Sequence, residues 1–292
     1  MQSQIEFPAA TPVSRIESTI AAQAETFFRM VSEHLPEMNS EVLVIGAGPC
    51  RIVATAAPGV AHFCRAFNLG MNGPVAPATL DEVEAFLLPR CGVSKIEVCA
   101  TAHDSLLVLL RERGYGLQSM GNVFYRPPPR DGEDLTIPAG VRIEAIDPDD
   151  AEAAQRVQDV VHRAFVGAGT AADHRGDPMR RLGGVMFKSP AYRGFSAHID
   201  DFEGPVGGGG MEFIDGAANM FGAAVDARAR NRGCQLALLR ARLEAVRDEV
   251  RRGRTCDLCV IQSRPGTASE RNILRAGFRL AYGRASVVRI RR

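Results

Sequence analysis

The stretch from Met220 to Val246, MFGAAVDARARNRGCQLALLRARLEAV, constrains this chain more than any other because its hydrophobic period changes once and abruptly. Met220-Phe221-Gly222-Ala223-Ala224-Val225 is a continuous apolar run of strand length, with glycine and alanines where a ligand or another backbone approaches closely. From Gly233 onward Leu236, Leu239, Leu243 and Val246 recur at spacings of three and four, which is one face of a helix. Asp226 to Arg232 must turn the chain between them. The first N–H groups of such a helix have no partner inside it, and its dipole is positive at that end. The turn Arg230-Asn231-Arg232-Gly233-Cys234-Gln235 therefore reads as a pyrophosphate cradle, in which Gly233 admits the phosphates to the main chain and Arg230 and Arg232 add charge-assisted contacts. Taken alone, the stretch also fits an ordinary strand, turn and helix with solvated arginines.

Context separates the two. Arg230-x-x-Gly233-x-Gln235, followed by Ala237-Leu238-Leu239, resembles the acetyl-coenzyme A motif Gln/Arg-x-x-Gly-x-Gly/Ala of the GNAT N-acetyltransferase superfamily, with Gln235 departing from the small residue at the last position. Downstream, Cys256 to Ser263 reads as a strand, and Pro265 to Asn272 leads into a short helix that ends at Gly277-Phe278, again in the order of a GNAT domain. The resemblance covers roughly residues 140 to 292. It implies an α/β (α+β) fold, a twisted mixed and mostly antiparallel sheet flanked by helices, and acetyl-coenzyme A as co-substrate. The pyrophosphate would lie at the turn before Gly233 and the pantetheine along Ala223, Ala224 and Val225, with Ser269 and Asn272 completing the cofactor site.

The first half contains a competing motif. Val42-Leu43-Val44-Ile45-Gly46-Ala47-Gly48-Pro49 looks like the opening of a dinucleotide-binding unit. Arg51 replaces its third glycine, Pro58-Gly59 breaks the helix that should follow, and no Asp or Glu lies about twenty residues on. A hairpin pairing Glu41 to Ile45 with Arg51 to Thr55 is expected instead. A helix over Pro12 to His34 precedes it, and a helix capped by Thr79, a strand from Lys95 to Cys99, a Leu-rich helix from Asp104 to Arg113 and a strand from Val123 to Arg126 follow it. Leu110-Arg111-Glu112-Arg113-Gly114-Tyr115 occupies the place in this half that Ile273-Leu274-Arg275-Ala276-Gly277-Phe278 occupies in the second. The repeat implies two GNAT-like domains: a degenerate one at 1–126 without the cofactor turn, a Pro-rich linker at 127–138, and the cofactor-binding domain at 139–292. An unrelated α/β domain with a Gly-aromatic turn is the alternative for the first.

In the second half Val141 to Ile146 reads as a strand, Asp147-Pro148-Asp149-Asp150 as a helix start, and Ser196 to Phe202 and Val206 to Ile214 as strands, with Asp215-Gly216 as a hairpin turn. From Gly167 to Phe195 no period persists. This stretch, with His174, Met179, Phe187 and Tyr192, is the candidate acceptor-contacting segment.

For the chemistry, the resemblance implies direct attack of an amine on the thioester carbonyl. GNAT enzymes often place a tyrosine four residues before the Gly-Phe pair as the acid for the leaving thiolate; Ile273 stands there. Ser269, Asn272, Tyr282 or water are the substitutes. Glu212 is the candidate base, Asn219 a candidate for binding substrate or water, and His198 and His174 are reserves. Each also has a plain structural reading.

A net charge of +1 argues against nucleic acid as a partner, and no apolar run is long enough to span a membrane, so a cytoplasmic protein, monomer or homodimer, is expected. Seven cysteines do not form a secreted disulfide framework. Cys256 and Cys259 fall in one expected strand, where residues three apart point to opposite faces, so buried unlinked thiols and no metal are expected. The function expected is transfer of acetyl from acetyl-coenzyme A to a small-molecule amine. A non-catalytic acyl-coenzyme A sensor and a protein N-acetyltransferase are the alternatives.

Overall fold

The computed structural model describes residues 13–46, 50–57, 59–166 and 178–290. Its first half runs α1 (Val13–His34), β1 (Ser40–Val44), β2 (Arg51–Thr55), β3 (Arg65–Phe67), α2 (Pro77–Cys91), β4 (Val93–Cys99), α3 (Asp104–Glu112) and β5 (Gly116–Arg126). The second runs β6 (Arg142–Ile146), α4 (Ala151–Val166), α5 (Pro178–Val185), β7 (Tyr192–His198), β8 (Gly207–Ile214), β9 (Ala217–Val225), α6 (Cys234–Arg251), β10 (Leu258–Ser263), α7 (Ala268–Arg275) and β11 (Arg279–Ile290). All strands join one 11-stranded sheet in the order β1-β2-β3-β4-β11-β5-β10-β9-β8-β7-β6.

That order is nearly symmetric about its centre. On one side β1/β2 and β2/β3 are antiparallel, β3/β4 is parallel and β4/β11 is antiparallel. On the other, β7/β8 and β8/β9 are antiparallel, β9/β10 is parallel and β10/β5 is antiparallel. The last strand of each half lies on the other half's sheet, and these two strands pair with each other at the middle. The repeat seen in the sequence has a structural counterpart. After α3, the N–H groups of Gly114 and Tyr115 bond to Arg111 O and Leu110 O; after α7, those of Gly277 and Phe278 bond to Leu274 O and Ile273 O. Both helices thus end in the same six-residue closure, with a left-handed glycine before the aromatic residue that enters the exchanged strand.

The hairpin expected at Gly46 is present, Ser40–Val44 on Arg51–Thr55, and no βαβ unit begins there. Asp215 and Gly216 both have positive φ, as the two-residue β8–β9 hairpin requires. Three expectations are corrected. Helix α2 starts two residues before Thr79, because Pro77 supplies a preset φ at the first position and Ala76 takes the cap. Strand β5 is 11 residues long, not four, because pairing with β11 along its length overrides its weak hydrophobic alternation. The stretch around 178–188 is helical, α5 followed by a short 3₁₀ turn at Met186–Lys188, because Leu182 and Val185 pack against Val31 and Met38.

Strand β10 begins at Leu258, so Cys256 lies just outside it and donates its thiol to Leu258 O at 3.6 Å. Both thiols are free and buried. Residues 130–136 lie along α6: Arg240 donates to Thr136 O, Arg247 to Arg130 O and Glu133 O, and Arg251 to Asp131, while Leu135 packs on the core. Helix α6 covers one sheet face over β7, β8 and β9 with Leu238, Leu239 and Leu243 against Met211, Met220 and Ile261. On the opposite face α1 lays Ile16 and Ile20 over Leu258, Val260 and Val123 at the centre of the sheet. Among the described residues no helix is long and apolar enough to cross a membrane.

Candidate active site

Strands β9 and β10 run parallel in register only from Ala217/Leu258 to Met220/Ile261. Beyond that pair they part. On its other side β9 carries an extra residue, since Gly208 faces Ala224 but Gly210 faces Phe221, and Gly222 takes a φ of 64°. This bulge bends β9 away from β10 and leaves the main chain from Phe221 to Val225 without a strand partner on the β10 side. Ala223, Ala224 and Val225, the residues expected along the pantetheine, line this free edge and are half-buried.

The free edge leads directly into the turn before α6. Gly233 caps the helix with φ 83°, and a side chain there would also meet Pro138 at 3.1 Å. The glycine is thus required by its own backbone and by the 127–138 segment behind it. Among the described residues no acceptor is found for the backbone N–H groups of Asn231, Arg232, Gly233 and Gln235. Arg230 is exposed and has no partner among the described residues, Arg232 is ion-paired with exposed Asp201 at 2.7 Å, and Cys234 is buried with its thiol raised by burial. Gln235, at the departing position of the motif, accepts from Asn272 Nδ2 at 3.1 Å. The structure therefore brings two of the expected cofactor residues together and ties α6 to α7. Ser269 lies in the first turn of α7, which Thr267 and Glu270 cap reciprocally, Thr267 Oγ1 accepting from Glu270 N and Glu270 accepting from Gly266 N.

Glu212 and Asn219 are directly opposite each other on β8 and β9 and share the face covered by α1 and α4. Glu212 is 1% exposed; its Oε1 accepts from Ser189 Oγ at 2.8 Å and its Oε2 finds no donor among the described residues. Burial pushes its carboxyl above the usual range, only partly opposed by that hydrogen bond. Asn219 Oδ1 is also buried without a donor among the described residues. Two unmet acceptors side by side are expensive in a core and are a natural seat for an amine or a water.

The neighbouring surface is built by glycines. Gly194 and Gly210 pair across β7 and β8, and the rings of Phe187 and Tyr192, packed edge to face, fill the space their side chains would take; a Cβ at Gly210 would collide with Tyr192 Oη. Tyr192 also contacts Phe221 of β9, ring centroids 6.0 Å apart. From the other face Arg242 of α6 donates to Gly210 O at 3.2 Å; it is fully buried, its Nη2 has no acceptor among the described residues, and burial pushes its guanidinium down to about 10. Sequence reasoning missed Arg242; the run Gly207 to Gly210 was the available signal.

The other nominees are placed elsewhere. Tyr282 is buried under α1, donates to Glu17 Oε1 at 2.6 Å, and is raised far above the usual phenol range by burial and that carboxylate. Ile273 is fully buried in the core beneath α6. His198 touches Ser196 and Glu144 near the β6 edge, and burial lowers its imidazole. His174 lies outside the described residues, as does the side chain of Met179.

No protein-family model and no curated protein matches the sequence. Solved structures do match. A tandem GNAT protein from the clavulanic acid biosynthesis pathway aligns over 94% of this chain and 93% of its own at TM-score 0.60 and 14% identity. GCN5-related N-acetyltransferases from Sphaerobacter thermophilus (TM-score 0.55, 19% identity, 94% and 91% covered) and Kribbella flavida (0.54, 16%, 89% and 94%) are similar over comparable lengths. A protein of unknown function from Staphylococcus epidermidis matches equally well, at TM-score 0.55 and 12% identity with 87% and 96% covered. At these identities the likeness defines the fold, and that fold is a GNAT fold in tandem.

Proposed function

We propose, from the premise of a tandem GNAT fold, that this protein is an N-acetyltransferase that moves acetyl from acetyl-coenzyme A to an amine of a small molecule. The observation that carries the reading is the parting of β9 from β10 at a bulge, leading without interruption into the open N–H groups at the head of α6. A slot with free main-chain groups suits the amide-rich pantetheine, and the helix end with Arg230 suits the pyrophosphate. The acceptor amine, attacking the thioester carbonyl carbon directly, would give up its proton to Glu212, directly or through a water shared with Asn219. A carboxylate raised toward neutrality is suited to that role. Helices α1 and α4 cover this face, and α5 packs on both of them, with Val31 and Leu182 in one cluster, which supports a roofed acceptor site and so a small substrate rather than a protein segment.

One observation favours a second reading. With Ile273 buried at the place of the usual tyrosine and Tyr282 engaged by Glu17, the thiolate has no side-chain acid of the usual kind, as in a sensor that binds acyl-coenzyme A without turnover. Calorimetry with acetyl-coenzyme A, on wild type and on Arg230→Glu, comes first, followed by thiol release with a panel of amines. Binding that weakens at least tenfold in the variant, with thiol release from some amine, is expected. Wild type that does not bind the thioester ends the proposal; binding without release by any amine leaves the sensor.

A further inference from the structure

Gln262 is the first residue of β10 beyond the last β9–β10 pair, where it is held only by Val123 of β5. Its side chain is exposed, yet it is anchored from below. Arg284 of β11, 5% exposed, donates from Nη1 to Gln262 Oε1 at 2.8 Å. A guanidinium only donates, so this contact fixes which end of the amide faces Arg284 and turns Nε2 outward. No acceptor for Nε2 is found among the described residues. Arg284 is itself locked: Nε and Nη2 donate to Glu17 Oε1 at 3.1 and 2.5 Å, and Tyr282 donates to the same oxygen. Glu17 is fully buried and comes from α1, in the other half of the chain.

A buried carboxylate and guanidinium stabilise a fold no better than apolar side chains of the same volume would. This pair accomplishes something those could not: it aims a neutral amide donor at the point where the strands separate. We infer that Gln262 Nε2–H donates to the acetyl thioester's carbonyl oxygen, with Arg284 and Glu17 as positioning residues. The inference rests on the acetyltransferase reading. As the amine nitrogen bonds to the carbonyl carbon, the π electron pair moves to oxygen and Gln262 holds the resulting charge. Collapse re-forms the carbonyl, the C–S bond pair leaves with sulfur as thiolate, and the nitrogen's proton passes to Glu212 or its water. Stabilising the intermediate in this way lessens the need for an acid at Ile273.

The test uses acetyl-coenzyme A labelled with ¹³C at the carbonyl, bound to the full chain and observed by infrared difference spectroscopy, so that no acceptor need be known. In wild type the carbonyl band lies below its position in Gln262→Ala, and Glu17→Gln moves it part of the way. With any amine that is turned over, Gln262→Ala lowers kcat by about 10²-fold at unchanged thioester affinity. Glu17→Gln lowers kcat in wild type but not in the Gln262→Ala background, which a merely structural role for Glu17 would not produce. If calorimetry shows the thioester bound and the band is the same in wild type and Gln262→Ala, this inference alone is overturned. If wild type does not bind the thioester, the acetyltransferase reading falls with it.

Discussion

Glu212 illustrates how one side chain can be placed against its own interest. Its neighbours offer a single hydroxyl, from Ser189, for two carboxylate oxygens, and burial favours its protonated form. The folded protein therefore holds this proton more tightly than the unfolded chain does. Its contribution to stability is whole below the unfolded glutamate value and is lost as pH rises through the higher folded value. Glu212→Gln should flatten that part of the stability–pH curve while lowering transfer to amines by about 10²-fold, the range of a lost general base. Denaturant unfolding at a series of pH values, set beside thiol-release rates, checks both. A variant as pH-sensitive as wild type would show that Glu212 ionises freely in the fold. The same economy explains Tyr192, which lies on the sheet only because Gly194 and Gly210 have no side chains there.

At the level of elements, α6 performs two tasks on two faces. Toward the sheet it presents Leu238, Leu239 and Leu243; away from it Arg240, Arg247 and Arg251, spaced seven and four apart, grip the segment that joins the halves. These contacts are exposed or half-buried and individually worth about 1 kcal/mol or less. Replacing all three arginines by alanine should cost little global stability yet loosen residues 128–137. Hydrogen exchange mass spectrometry would register faster exchange confined to that segment; unchanged exchange would mean that Pro138 against Gly233 and Leu135 on the core suffice to hold it.

The whole molecule is a single sheet through which the two halves exchange their last strands. Each of β5 and β11 borders the other and a strand of the opposite half, so neither half can close its sheet from its own residues. Polypeptides 13–126 and 139–290 made separately should each lack a cooperative unfolding transition, since each would expose an unpaired edge and half of the α1 interface. Coexpressed, they should copurify as one complex. Circular dichroism and size exclusion decide it, and a cooperatively folded monomer of either piece would sink the idea. Helix α1 adds to the dependence, because Arg15 binds Asp257 and Glu17 binds Arg284, both in the second half.

The residues from Met220 to Val246 determined by themselves that a strand would run through a turn into a helix, since hydrophobic period and glycine placement are local properties. The same is true of the Gly-aromatic helix closures, whose six-residue geometry repeats in both halves. Fold class and the turn between strand and helix were therefore legible in the linear chain. What only the tertiary structure decided is which distant residues meet. Gln262 reads as an ordinary strand residue until Arg284, 22 positions on, and Glu17, 267 positions from Arg284, are folded beneath it. Gln235 and Asn272 show no affinity for each other in the linear chain, and they meet only when α7 is folded beside the head of α6. Strand exchange is invisible for the same reason: pairing between β5 and β11 is set by which edges remain open after both halves have collapsed, and no local pattern records that.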